Sequence, residues 1–289
     1  MNKIKIITDS TCDLPKSVLE EIDVVCLPLH VTVNNKTYLD GVDIDINTFF
    51  NEMDKSGELP KTSQIPPAKF VDVFKSYIDD GYEVITIHLS SKMSGTYQSA
   101  CIAKEMLESD RIHVIDSKNV TAGLGILVLK ASILKSEGKS SKEIVNILEN
   151  TIPHIKSTLN FQSLDNLVKG GRLSKTTGFV GGLLGIKLNL AVENGEMVVR
   201  DKVRGSKKAL RCLVDYLDEC GISDEVQPIV MNAAADEENR EVLNGIIDYL
   251  NKKNIKFIES SVGCVVGTHS GKNACGIFFI EKNKFLEEL

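Results

Sequence analysis

Alternation of apolar and polar positions begins at once: Lys3-Ile4-Lys5-Ile6-Ile7-Thr8 reads as a strand that stops at Asp9-Ser10-Thr11. Leu14-Pro15 and Val18-Leu19 then suggest a helix entered through a proline. Residues 24–33 form a second strand-like run, turned at Asn34-Asn35 toward Thr37-Tyr38-Leu39. Phe70, Val71, Phe74, Tyr77 and Ile78 recur at three- and four-residue intervals after Pro66-Pro67, the spacing of an amphipathic helix that Gly81 ends. Residues 83–89 read as a buried strand, 90–96 as a polar loop and 97–107 as the next helix. A short strand at 111–115 precedes Asp116-Ser117 and a long apolar helix over 120–136. Such repeated strand–helix alternation predicts a mostly parallel sheet with right-handed crossovers.

After a helix near 141–148 the texture changes. Gly170-Gly171, Gly178, Gly181-Gly182 and Gly185 crowd together, and Asn194-Gly195 between two strand-like runs signals a hairpin. From residue 207 onward helix and strand alternate again, with 228–231, 241–250, 256–260 and 276–280 the clearest pieces. A chain of 289 residues exceeds what one core usually organises. The expectation is an α/β protein of two domains: residues 1–158 with a mostly parallel sheet and flanking helices, and residues 159–289 a smaller α/β domain.

Composition narrows the function classes. Apolar residues make up 42% of the chain, but no apolar stretch approaches the length of a membrane span. The strand pattern following Met1-Asn2-Lys3 does not read as a signal peptide, so a cytoplasmic protein is expected. Seven scattered cysteines, without a C-x-x-C pair, read as reduced thiols. A net charge of −6 argues against a nucleic-acid partner.

In open α/β sheets, ligands collect beyond the carboxyl ends of strands. The polar stretches that qualify are 8–11, 62–64, 90–99 and 267–271, all rich in hydroxyls and poor in charge. The stretch Ser90-Ser91-Lys92-Met93-Ser94-Gly95-Thr96 runs into a helix and offers hydroxyls plus unpaired amide donors, which suits an anion, although ordinary capping would use the same residues. Known catalytic signatures fail. Ser94 lacks the G-x-S-x-G elbow because Lys92 takes the first glycine position, and Gly271-Lys272 is followed by Asn273 where a phosphate loop needs Ser or Thr. Asp9 and Asp13 read as caps or turn residues before they read as metal ligands. His269, between glycines in a polar stretch, taken alone reads as a surface residue.

Taken together, the ordered motifs Thr8-Asp9-Ser10-Thr11, Thr62-Ser63-Gln64, Ser94-Gly95-Thr96-Tyr97-Gln98-Ser99-Ala100, Asp116-Ser117, Leu167-Val168-Lys169-Gly170-Gly171-Arg172-Leu173-Ser174, Lys202-Val203-Arg204 and Gly267-Thr268-His269-Ser270-Gly271 resemble the DegV family across essentially the whole chain. The resemblance implies a two-domain α/β fold that binds a fatty acid such as palmitate, with no other cofactor. In the FakB-like members of that family the bound acid is delivered to a separate fatty acid kinase that makes acyl phosphate. Carried over residue by residue, Thr62, Ser94, Gly95 and His269 resemble the carboxylate site, and Arg172 and Arg204 the residues facing the kinase or the phosphate. The chain departs from the family pattern at Ile65, Leu188 and Lys272-Asn273.

The physics of a fatty acid agrees with these residue types. Hydroxyls and amides can hold a carboxylate, while a tail contributes about 0.8 kcal/mol per buried methylene. Candidate lining comprises the 120–134 helix, Phe161 and residues 179–186. Two alternatives remain: a serine hydrolase using Ser94 and His269 with Asp9 or Asp116, and a nucleotide-binding regulatory module suggested by the glycine-rich stretch.

Overall fold

The first strand, β1 (Lys3–Asp9), is buried along all but its first residue, as a strand covered on both faces must be. In the computed structural model, which describes residues 3–173, 186–234 and 236–282, it sits inside a four-stranded sheet with β2 (Val24–Leu27) on one side. Three antiparallel strands follow in sequence or near it: β3 (His30–Val33), β4 (Lys36–Leu39) and, after helix α2 (Ile46–Ser56), β5 (Lys61–Ser63). The run at 24–33 is thus two strands, not one. Pro28, which has no N–H to give a ladder, stands between them.

Helix α3 (Pro67–Asp79) buries Phe70 and Phe74 and leads to β6 (Tyr82–His88), which pairs with β1 on its other side. Helix α4 (Thr96–Leu107) and β7 (Ile112–Asp116) complete the sheet, whose order is β2-β1-β6-β7 with every neighbour parallel. Helix α5 (Ala122–Ser136) is apolar almost all round, so it must be enclosed. It packs on β1 and β6 of this sheet and on strands of the second sheet.

That second sheet has six strands. After α6 (Ser141–Thr151) come β8 (Ile155–Phe161), α7 (Asp165–Lys169), β9 (Ile186–Glu193), β10 (Glu196–Arg204), α8 (Ser206–Cys220), β11 (Ile229–Ala233), α9 (Glu237–Lys252), β12 (Ile258–Ser261), α10 (Cys264–Ser270) and β13 (Ala274–Ile280). Their order is β10-β9-β8-β13-β11-β12, mostly antiparallel, with only β11 and β12 parallel. Residues 158 and 159, either side of the expected division, are neighbours inside β8. The predicted hairpin is present: β9 and β10 are joined by Asn194 (φ 50°) and Gly195 (φ 86°), both in the left-handed region a two-residue turn of this kind requires. Helices α8 and α9 cover the outer face through Leu213, Leu217, Val242, Ile246 and Leu250, packed with Ile277 and Phe279.

Candidate functional site

The ends of β1 and β6 are locked together by Asp9. Its carboxylate accepts hydrogen bonds from the amides of Thr11 (3.1 Å) and Leu89 (3.1 Å) and from the Thr11 hydroxyl, and it lies 2.9 Å from His88 Nδ1, all of it buried. His88 Nε2 in turn meets the Thr86 hydroxyl. A carboxylate so fully engaged is a structural joint, and it fixes where the loop after β6 begins. Opposite, the hairpin turn accepts the Ser90 hydroxyl at Gly195 O (2.8 Å), and Lys92 pairs with Glu196 (3.0 Å). Arg172 Nε donates to Met93 O (3.1 Å). The loop carrying Ser94 is therefore held from both halves of the chain.

Helix α10, which carries His269, is docked by two carboxylates of the first loops. Asp13 Oδ1 accepts the Gly263 amide (2.8 Å) and Asp40 Oδ1 accepts the Cys264 amide (2.7 Å), satisfying donors that a helix start leaves open. Ser10 Oγ steadies Asp40 Oδ2 at 2.8 Å. Burial pushes Asp13 well above the usual carboxylate range and raises Asp40 as well.

These supports bring four separated stretches to one place. Thr62 comes from β5, Ser94 and Gly95 from the start of α4, His269 from the end of α10 and Arg172 from the turn after α7. His269 Nε2 lies 3.0 Å from Thr62 Oγ1. Ser94 Oγ accepts the Thr96 amide (3.2 Å) and lies 3.0 Å from Thr96 Oγ1. His269 Nδ1 is buried without a hydrogen-bond partner among the described residues. Burial, and secondarily the Arg172 guanidinium, holds this imidazole down to about 4, so it is neutral at physiological pH. Gly170 explains part of its setting: a Cβ there would collide with His269 Nδ1.

The cluster lines a cavity of about 380 Å³. Most of the remaining wall is apolar, including Leu29, Leu159, Phe161, Met197, Met231 and Phe278, drawn from both halves of the chain. Its size and its few convergent polar groups are those of a small-molecule site. Thr121, also in the wall, is held at φ 50° and ψ −135°, an uncommon backbone state for a β-branched residue.

Sequence reasoning and structure part in several places. The 267–271 stretch, expected as a loop beyond a strand, belongs mostly to α10, and Thr62 lies within a strand instead of after one. Helix α5 is core; only Val120 and Thr121, just before it, reach the cavity. Phe161 does line it and Ile186 does not, whereas the rest of the expected lining, 179–185, lies outside the described residues. Sequence reasoning misses the thioethers of Met93, Met197 and Met231, and nothing in their spacing reveals them. Of the proposed site residues, Thr62, Ser94, Gly95, His269 and Arg172 share this wall; Arg204, exposed at the end of β10, does not. The hydrolase arrangement is not assembled: His269 bonds Thr62 instead of Ser94, Asp9 is committed to His88, and Asp116 accepts from Ser91 and Lys118.

The profile of the family described as "Uncharacterised protein, DegV family" matches residues 3–282. A DegV domain-containing protein of Clostridium acetobutylicum is 54% identical over 282 residues, spanning 98% of this chain and 100% of its own length. Among solved structures, a fatty-acid-binding DegV family protein of Thermus thermophilus superposes with a TM-score of 0.88 at 25% identity, covering 98% of this chain and all of that one. A stearic-acid-binding protein of Eubacterium ventriosum superposes with a TM-score of 0.83 at 28% identity, covering 99% of this chain and all of that one. Among the described residues no helix is long and apolar enough to cross a membrane.

Proposed function

This chain belongs to the DegV family, and from that membership we propose that it binds a long-chain fatty acid and presents it to a separate kinase, performing no chemistry alone. The observation that carries the reading is the make-up of the cavity wall: the Thr62 and Ser94 hydroxyls, His269 and the start of α4 belong to a wall that is otherwise mostly apolar, with no carboxylate among the described lining residues. An anionic head with a long apolar tail is the ligand that satisfies both parts.

The head-group chemistry follows from proton accounting. A carboxylate only accepts hydrogen bonds, so each group facing it must donate. The neutral His269 has one N–H; placed on Nε2, it donates to Thr62 Oγ1 and leaves the Thr62 hydroxyl hydrogen free for the ligand. Ser94 supplies a second hydroxyl and Gly95 an amide at the positive end of α4. The tail supplies the larger share of affinity, roughly 10 kcal/mol gross for a long chain before ordering costs.

Arg172 and Arg204 complete the proposal as the residues that face the kinase or the phosphate being transferred, where a guanidinium fork binds phosphate oxygens well. Arg172 is at the cavity wall, bonded to Met93 O and Gly170 O (2.6 Å), and its place beside Ser94 and His269 in that wall supports this part of the reading. Calorimetric titration with palmitate and with methyl palmitate tests the reading. Tight one-to-one binding of the acid and much weaker binding of the ester are expected; indifference to the ester group would remove the carboxylate site.

A further inference from the structure

We propose that Gln64 is a positioning residue that sets the spacing between the Thr62 and Ser94 hydroxyls, so that both reach one carboxylate; the proposal rests on the fatty-acid reading. Gln64 lies two residues beyond Thr62, and both line the cavity. Its Nε2 donates to Ser99 Oγ at 2.9 Å. Ser99 is buried one turn into α4, where its amide donates to Gly95 O at 2.9 Å. The side chain therefore bridges the strand that carries Thr62 to the helix start that carries Ser94.

The other face of the same amide group explains a glycine. Gly95 has an ordinary φ of −76°, so backbone conformation does not demand glycine there. What a side chain there would meet is Gln64: a Cβ at position 95 would fall on its Oε1 and come within 2.8 Å of its Cδ, displacing the amide group from the helix start. The Gln64 amide group sits against Gly95, and the bridge as built leaves no room for a side chain there. A side chain that merely satisfied Ser99 would need no such close approach. Pressed against the helix start while bonded one turn deeper, Gln64 fixes α4 against β5 in both distance and tilt.

Because the bridge acts on the head end alone, its loss should be blind to the tail. Titrations of C12, C14 and C16 fatty acids and of hexadecanol would compare the unaltered protein with Gln64→Ala, with Gln64→Met, which keeps the volume without the donor, with Ser94→Ala and with Gln64→Ala/Ser94→Ala. The expected result is a loss of about tenfold for every acid, the order of one hydrogen bond to a charged group. Hexadecanol binding should stay within about twofold, Gln64→Met should behave like Gln64→Ala, and Gln64→Ala should add little once Ser94 is gone. Unchanged acid affinity in both Gln64 variants, a loss that grows with chain length, or an equal loss for hexadecanol would overturn the positioning role. An unaltered protein that takes up none of the acids would overturn the fatty-acid reading itself, and this proposal with it.

Discussion

In the polar part of the cavity wall, four elements distant in sequence each contribute one or two polar atoms, and two of them, the loop leading into α4 and helix α10, are pinned from outside by buried carboxylates and the β9–β10 turn. The rest of the described wall is mostly thioether, aromatic and branched side chains that offer surface and no direction. The difference teaches where precision is needed. Hydrogen bonds weaken steeply with distance and angle, so the head must be rigid. Burial of methylenes is non-directional, and methionines adapt to irregular shapes, so the tail can be loose. On the proposed reading, affinity and orientation thereby fall to different parts of one site.

The largest expected effect lies at the tail. Replacing palmitate by decanoate removes six methylenes, about 5 kcal/mol, and should weaken binding by three to four powers of ten. Equal affinities for the two acids, measured by calorimetry, would break the division of labour.

Next in size is the pH dependence of His269. Its proton affinity is lowered from an unfolded value near 6.5 to about 4, so the unfolded chain takes up the proton first. The sign follows: this contribution to stability is complete above about pH 6.5 and is lost as pH falls toward 4, by as much as about 3 kcal/mol. Asp13 and Asp40, with raised values, act in the opposite sense in acid, but they are common to both proteins of a comparison. Denaturation midpoints of the unaltered protein minus those of His269→Gln should therefore decline between pH 6.5 and 4, and a flat difference would contradict a buried neutral imidazole.

Smaller effects sharpen the head end. Ser94→Ala and Thr62→Ala should each cost about 1–2 kcal/mol in fatty-acid affinity, the same for every chain length. The smallest is at Arg204, exposed and outside the cavity wall: Arg204→Ala should leave the dissociation constant within about twofold while slowing phosphorylation by the proposed kinase partner. Parallel losses of binding and transfer would show that the two roles are not separable there.

How much of this is legible from the residues depends on the length scale of each signal. The run from Ser94 to Ala100 can be read because a helix start and its hydroxyls are local. The N-terminal sheet can be read because β1 and β6 are continuous apolar runs between polar punctuation. His269 is misplaced by its sequence because its flanking glycines and hydroxyls have the composition of a loop. Helix α10 nonetheless forms, with Asp13 and Asp40 accepting the amides at its start and Thr268 Oγ1 bonding back to Cys264 O (2.9 Å). Two of those three contacts come from residues more than two hundred positions away. Gln64 stands in a recognisable motif without a role of its own, since its meaning depends on a close approach to Gly95 that no spacing along the chain encodes. The three cavity methionines are invisible for the same reason.

The central claim is that the cavity holds a fatty acid, and mass spectrometry of the purified protein tests it most directly, first under native conditions and then on its organic extract. The account predicts one long-chain fatty acid per chain, lost or strongly reduced in the Thr62→Ala/Ser94→Ala protein. A protein that carries no lipid and fails to take up added palmitate would contradict it.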